Sequence, residues 1–154
     1  MVEINNLTDF SIDEKFFKKV AQEVLKNESK ENSSLSVAFV KEQEIKKLNN
    51  KYLKKNKPTD VLSFPHNTDF LKETKNFKDS LGEIVICPSV VEKNAKQFNV
   101  SIKRELSKTL IHGILHLLGH EHEKGEKRAR DMEKKENYYL SLIFKSLKWQ
   151  EKKL

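Results

Sequence analysis

At 154 residues the chain suits one domain, long enough to bury roughly 70% of the surface its unfolded form exposes. Its formal net charge of +7 and pI of about 9.3 rest almost entirely on lysine, since only Arg104, Arg128 and Arg130 are arginine, and such a balance suits a polyanion such as nucleic acid. The apolar residues gather in periodic segments, which argues against a disordered polyelectrolyte, and no apolar run reaches the roughly 18 residues of a membrane span.

Val2 to Asn5 reads as a short strand, followed by an amphipathic helix from Ile12 to Asn27 with Phe16, Val20, Val24 and Leu25 facing inward. Asn27 to Ser34 is a polar connection. Leu35 to Val40 is a strand, and Glu42 to Leu53, with Ile45, Leu48 and Tyr52 in register, a second helix. A lysine-rich loop leads to Val61–Phe64, a strand ended by Pro65. Asn67 to Asp79 is the least periodic stretch, read as a long surface connection or a flexible lid. Leu81 to Cys87 is the clearest strand. Pro88 then suits the first turn of a helix running to Phe98, and Ser101 can cap the next one. From Lys124 to Leu147 the pattern is helical, with Met132, Leu140, Ile143, Phe144 and Leu147 inward. The sum is an α+β domain, four short strands in one small sheet packed with five helices, and no internal repeat or linker.

Several lysines alternate with glutamates, as in Lys41-Glu42-Gln43-Glu44, and such runs also read as solvated helix faces. Charge alone therefore leaves RNA binding open. Cys87 is the single cysteine; it permits no internal disulfide, fits a reducing cytosol and is read as a small buried apolar residue. The N-terminus lacks a basic region followed by an apolar one, so neither secretion nor membrane insertion is expected.

Of the five histidines, all but His66 fall in His112-Gly113-Ile114-Leu115-His116-Leu117-Leu118-Gly119-His120-Glu121-His122. Leu106 through Leu118 is apolar and helical, so His112 and His116, one turn apart, share a face about 5–6 Å from each other. Gly119 stands where a left-handed residue would end the helix and turn the chain back, which brings His122 to the same point. A lone histidine here would be an ordinary surface or loop residue; three with this spacing indicate a metal site. Three imidazoles and no thiolate suit tetrahedral zinc with an open fourth position, the arrangement of catalytic sites. Zinc peptidases of the H-E-x-x-H type place a general base directly after the first histidine, but that position is Gly113, which argues against peptide hydrolysis. The helix should be central, with Leu106, Leu110, Ile114, Leu115 and Leu118 buried and the histidines lining a cleft.

This segment resembles H-G-x-L-H-L-x-G-Y-D-H, the hallmark of the YbeY family of bacterial rRNA maturation factors. Lys57-Pro58-Thr59-Asp60-Val61-Leu62-Ser63-Phe64-Pro65 is similar to its P-T-D/N-V-L-S-F-P segment, and Leu81-Gly82-Glu83-Ile84-Val85-Ile86 to its L-G-D-I-V-I strand. The resemblance implies a single-domain, metal-dependent endoribonuclease of the bacterial cytosol, acting on single-stranded RNA in 3′-end maturation of small-subunit rRNA and in ribosome quality control. It implies one metal ion, usually zinc, held by His112, His116 and His122, RNA of the small ribosomal subunit as partner, and neither DNA nor membrane; such an imidazole set also takes nickel, copper or cobalt.

Two positions depart from the family pattern. His120 and Glu121 stand where tyrosine and aspartate are usual; His120 is read as a tolerated surface replacement, with an extra ligand or a base-stacking ring as alternatives. Leu53 stands where many members carry an arginine regarded as important for activity. Lys54, Lys55 and Lys57 supply positive charge nearby and are the candidate substrate-binding residues, though as point charges without arginine's fork. No general base is evident, since Glu83, Glu121 and Glu123 all have simpler structural or solvated readings. The alternatives are a ribosome-associated RNA-binding assembly factor whose metal is mainly structural, which Leu53 favours, and a metallopeptidase, which Gly113 disfavours.

Overall fold

The computed structural model describes residues 1–65, 80–120 and 125–151. In β2 (Ser34–Phe39) every second side chain, Leu35, Val37 and Phe39, is buried, the period-two pattern of a strand with one face against a core. Its neighbours are β1 (Val2–Asn6) and β4 (Ser80–Ile86), both parallel to it, with Val37 opposite Ile4 on one side and Ile84 on the other. The outermost strand β3 (Val61–Pro65) runs antiparallel to β4, giving the order β1-β2-β4-β3. Pro65, which has no N–H to give a ladder, ends this edge strand.

The two faces of the sheet bury different things. Leu35, Val37, Phe39, Ile84 and Ile86 join the larger core with α1 (Glu14–Asn27) and α4 (Ile102–Leu117). Leu62, Phe64 and Val85 turn the other way, into a smaller cluster with Ile45 of α2 (Glu42–Leu53) and with Cys87, which is fully buried. Tyr52 of α2 meets Phe64 edge-on at 5.2 Å. α3 (Pro88–Phe98) and α5 (Glu126–Glu151) complete the molecule. Five helices and four strands stand among the described residues, as the sequence leads one to expect.

α1 begins two residues later than its periodicity suggests, because the Asp13 carboxylate accepts the Phe16 N–H at 3.1 Å and caps the helix there. The same register makes Phe17 the buried aromatic, in line with Val20, Ala21, Val24 and Leu25, while Phe16 is half-buried, edge-on to Phe17 and Phe144. Ser101 caps α4 as expected, accepting the Arg104 N–H. α4 is more central than a single apolar stripe implies: it packs against α1, α3, α5, β3 and β4, so Ile111 is as fully buried as Leu110, Ile114 and Leu115, while Leu118 is half-buried. No described helix is long and apolar enough to cross a membrane. The stretch Asn67 to Asp79 lies outside the described residues.

Ile111→Ala is expected to cost about 2–5 kcal/mol, a buried large-to-small change at the centre of the helix, whereas Leu53→Ala at a 54% exposed position stays within about 0.5 kcal/mol. Urea denaturation of the two variants separates these outcomes.

Candidate metal centre

The position after His112 touches the sheet. A Cβ on Gly113 would stand 3.1 Å from both Cδ1 and Cγ2 of Ile84 and 3.3 Å from the Ser63 Oγ, so the absence of a side chain is what lets α4 lie this close to β3 and β4. The Ser63 hydroxyl also donates to the Gly113 carbonyl at 3.3 Å. The place where peptidases keep a general base is thus a tight packing contact against the sheet, where even a Cβ would require Ile84 to give by a few tenths of an ångström.

His112 and His116 lie one turn apart on the helix. Their rings lie with centroids 4.6 Å apart, and their Nε2 atoms approach to 3.0 Å. Two nitrogens bound to one tetrahedral zinc at 2.0–2.1 Å would be about 3.3 Å apart, so this pair fits two ligands of a single ion. The remaining nitrogen of His112 is taken: Nδ1 donates to the carboxylate of Glu136 in α5. With the proton on Nδ1, Nε2 carries its lone pair on the side of His116.

Glu136 is buried on the inward face of α5, in line with Met132, Tyr139 and Leu140. A carboxylate in an apolar stripe is costly without a partner, and His112 is that partner. An anomalous Glu among the helix's inward positions is the one trace of it in the sequence.

The helix ends with Gly119 at φ +91°, as expected, and His120 follows. Its Nε2 lies 2.8 Å from Oε1 of Glu28, the residue that terminates α1. Glu28 also accepts from Lys135 Nζ at 2.9 and 3.2 Å and from the Tyr139 hydroxyl at 2.5 Å. His120 is therefore one of three side chains gathered on a single carboxylate, a more specific position than a tolerated surface replacement. Burial alone would raise the Glu28 pKa, but hydrogen bonds from Tyr139, Lys135 and His120 outweigh it and hold the carboxyl below its ordinary 4.5. Burial and the neighbouring Glu28 push the Tyr139 hydroxyl up, so it remains a donor. Nothing in the sequence marked Glu28, Lys135 or Tyr139, because the network closes only when α1, α4 and α5 pack.

The other expected residues are placed less completely. His122, Glu121 and Glu123 lie outside the described residues, and among those described no three metal-capable side chains come together. Glu83 alternates onto the face opposite Ile84, whose side chain meets Gly113, so it points away from α4; burial raises its pKa. Lys54, Lys55 and Lys57 are exposed where α2 gives way to β3. Lys54 takes a left-handed conformation that closes α2, and buried Asn49 reaches over to donate to the Lys57 carbonyl at 2.9 Å. The loop is thereby strapped to the helix beside exposed Leu53.

The profile of the family described as Endoribonuclease YbeY matches residues 3–143. The chain is 42% identical to Endoribonuclease YbeY of Aquifex aeolicus over 116 residues, 75% of this chain and 74% of the relative. It is 44% identical to that of Buchnera aphidicola over 131 residues, 84% of this chain and 81% of the relative. The solution structure of TM1509 from Thermotoga maritima superposes with a TM-score of 0.68 at 33% identity, covering 97% of this chain and 93% of that one.

The depressed Glu28 carboxyl fixes the sign of one pH effect. Its stabilising contribution is full above the unfolded pKa and is lost as pH falls through the lower folded value. The gap in urea midpoint between wild type and Glu28→Gln is therefore expected to be widest near neutrality and to close as pH drops below 4.5; a gap that does not change with pH would contradict it.

Proposed function

Because the chain belongs to the YbeY family of endoribonucleases, we propose that it is a zinc-dependent endoribonuclease that cuts single-stranded RNA, acting in 3′-end maturation of small-subunit rRNA and in ribosome quality control in the bacterial cytosol. The observation that carries the metal dependence is the convergence of two imidazole Nε2 atoms to 3.0 Å on one helix face, one of them with its other nitrogen already hydrogen-bonded. His122 is proposed as the third ligand from its place in the motif.

Bound there, zinc would supply an activated water near neutral pH and Lewis-acid charge on the phosphoryl oxygens. The protein's own contribution is to hold His112 and His116 rigidly on a buried helix and to leave residue 113 without an acid or base. Lys54, Lys55 and Lys57 are proposed to attract and position the RNA backbone, held in place by Asn49. Exposed Leu53 at the usual arginine position favours a second reading, an RNA-binding ribosome assembly factor in which the metal is mainly structural.

His116→Ala is expected to abolish both zinc retention and RNA cleavage in a nuclease-free preparation; undiminished cleavage would sink the nuclease reading. If the folded variant still restores rRNA processing fully in cells, the assembly-factor reading takes its place. Replacing all three lysines by alanine should weaken RNA binding and reduce the slope of log K against log salt by up to about 2, at roughly 0.7 per phosphate contact on a single strand. An unchanged slope would remove them from the RNA-binding surface.

A further inference from the structure

Glu136 comes from the last helix, 24 residues beyond His112, yet its carboxylate meets the nitrogen of His112 that faces away from His116. It is 6% exposed and lies on the stripe that docks α5 into the core. We propose that Glu136 is a positioning residue for the metal: it fixes His112 as the Nδ1–H tautomer, locks the ring about its own axis, and makes Nε2 a stronger donor. The inference rests on the reading of His112 as a ligand.

Three observations carry it. The contact is to Nδ1, which leaves Nε2, the atom 3.0 Å from His116 Nε2, unobstructed by the carboxylate. The carboxylate only accepts, so the proton sits on Nδ1, as metal ligation through Nε2 requires. Finally, Glu136 is held between anchored neighbours: Met132 and Leu140 are buried in the core, and Tyr139 is buried with its hydroxyl fixed on Glu28. A side chain on so constrained a helix face orients its partner instead of following it. Because it contacts the nitrogen opposite the convergence point, Glu136 acts through His112 and is not itself a catalytic residue.

The experiment measures zinc affinity by competition with a chromophoric chelator for wild type, Glu136→Gln, Glu136→Leu and His112→Ala, alongside the melting temperature of each metal-free protein. Glu136→Leu is expected to bind zinc about 10–100-fold more weakly and to alter the visible spectrum of the cobalt(II)-loaded protein. Glu136→Gln, whose amide oxygen still accepts from Nδ1–H, should recover part of that loss. If zinc affinity is unchanged in the glutamate variants but falls in His112→Ala, the positioning role is wrong while the metal reading stands. Unchanged affinity in His112→Ala would overturn the metal reading itself. Should the variants fail to fold, long-range proton–nitrogen spectra of the wild-type histidines decide: the Nδ1–H tautomer for His112 supports the proposal and the Nε2–H tautomer overturns it.

Discussion

Everything at the centre of this molecule depends on how closely one helix can approach a sheet. α4 is pressed onto β4 and β3 at Gly113, where the side chain of Ile84 occupies the space that a Cβ would need, and the Ser63 hydroxyl fastens the same residue through its carbonyl. Helix geometry then places the preceding residue, His112, about 100° around the axis, off the sheet contact, with His116 one turn further along. The glycine and the histidine pair are two consequences of a single orientation.

That orientation separates this helix from a peptidase helix with the same histidine spacing. In H-E-x-x-H peptidases the residue after the first histidine must reach a water beside the metal. Here the equivalent position is spent on packing. A phosphodiester already carries negative charge, so charge neutralisation and positioning dominate its cleavage, a demand that does not call for a base at this position.

Much of the fold was legible because its elements are locally consistent. Alternation marks β2, an apolar run marks β4, Ser101 is a capping residue in plain view, and Gly119 stands at its expected turn, whereas the Asp13 cap of α1 went unread. What stayed hidden was non-local. The parallel pairing of β1, β2 and β4, with β3 reversed at the edge, has no signature in any one segment. The full burial of Ile111 arises because α4 packs against three helices and two strands. At the site, the histidines could be read from spacing, but their supports could not: Glu136 leaves only the trace of a charge at an inward position of α5, and Glu28 looks like the frayed end of α1. Only packing reveals that both are acceptors for groups in or beside the motif.

The network around Glu28 has a temporal side. Its partners His120, Lys135 and Tyr139 lie 92, 107 and 111 residues away along the chain, and the partner of His112 also belongs to α5. All of them follow the sheet and α4 in the order of synthesis. A growing chain can complete its sheet and even its histidine helix while the groups that hold the motif in place are still unmade. α5 is thus the closing clasp, and the supports of the site are translated only after the sheet and the histidine helix that they hold.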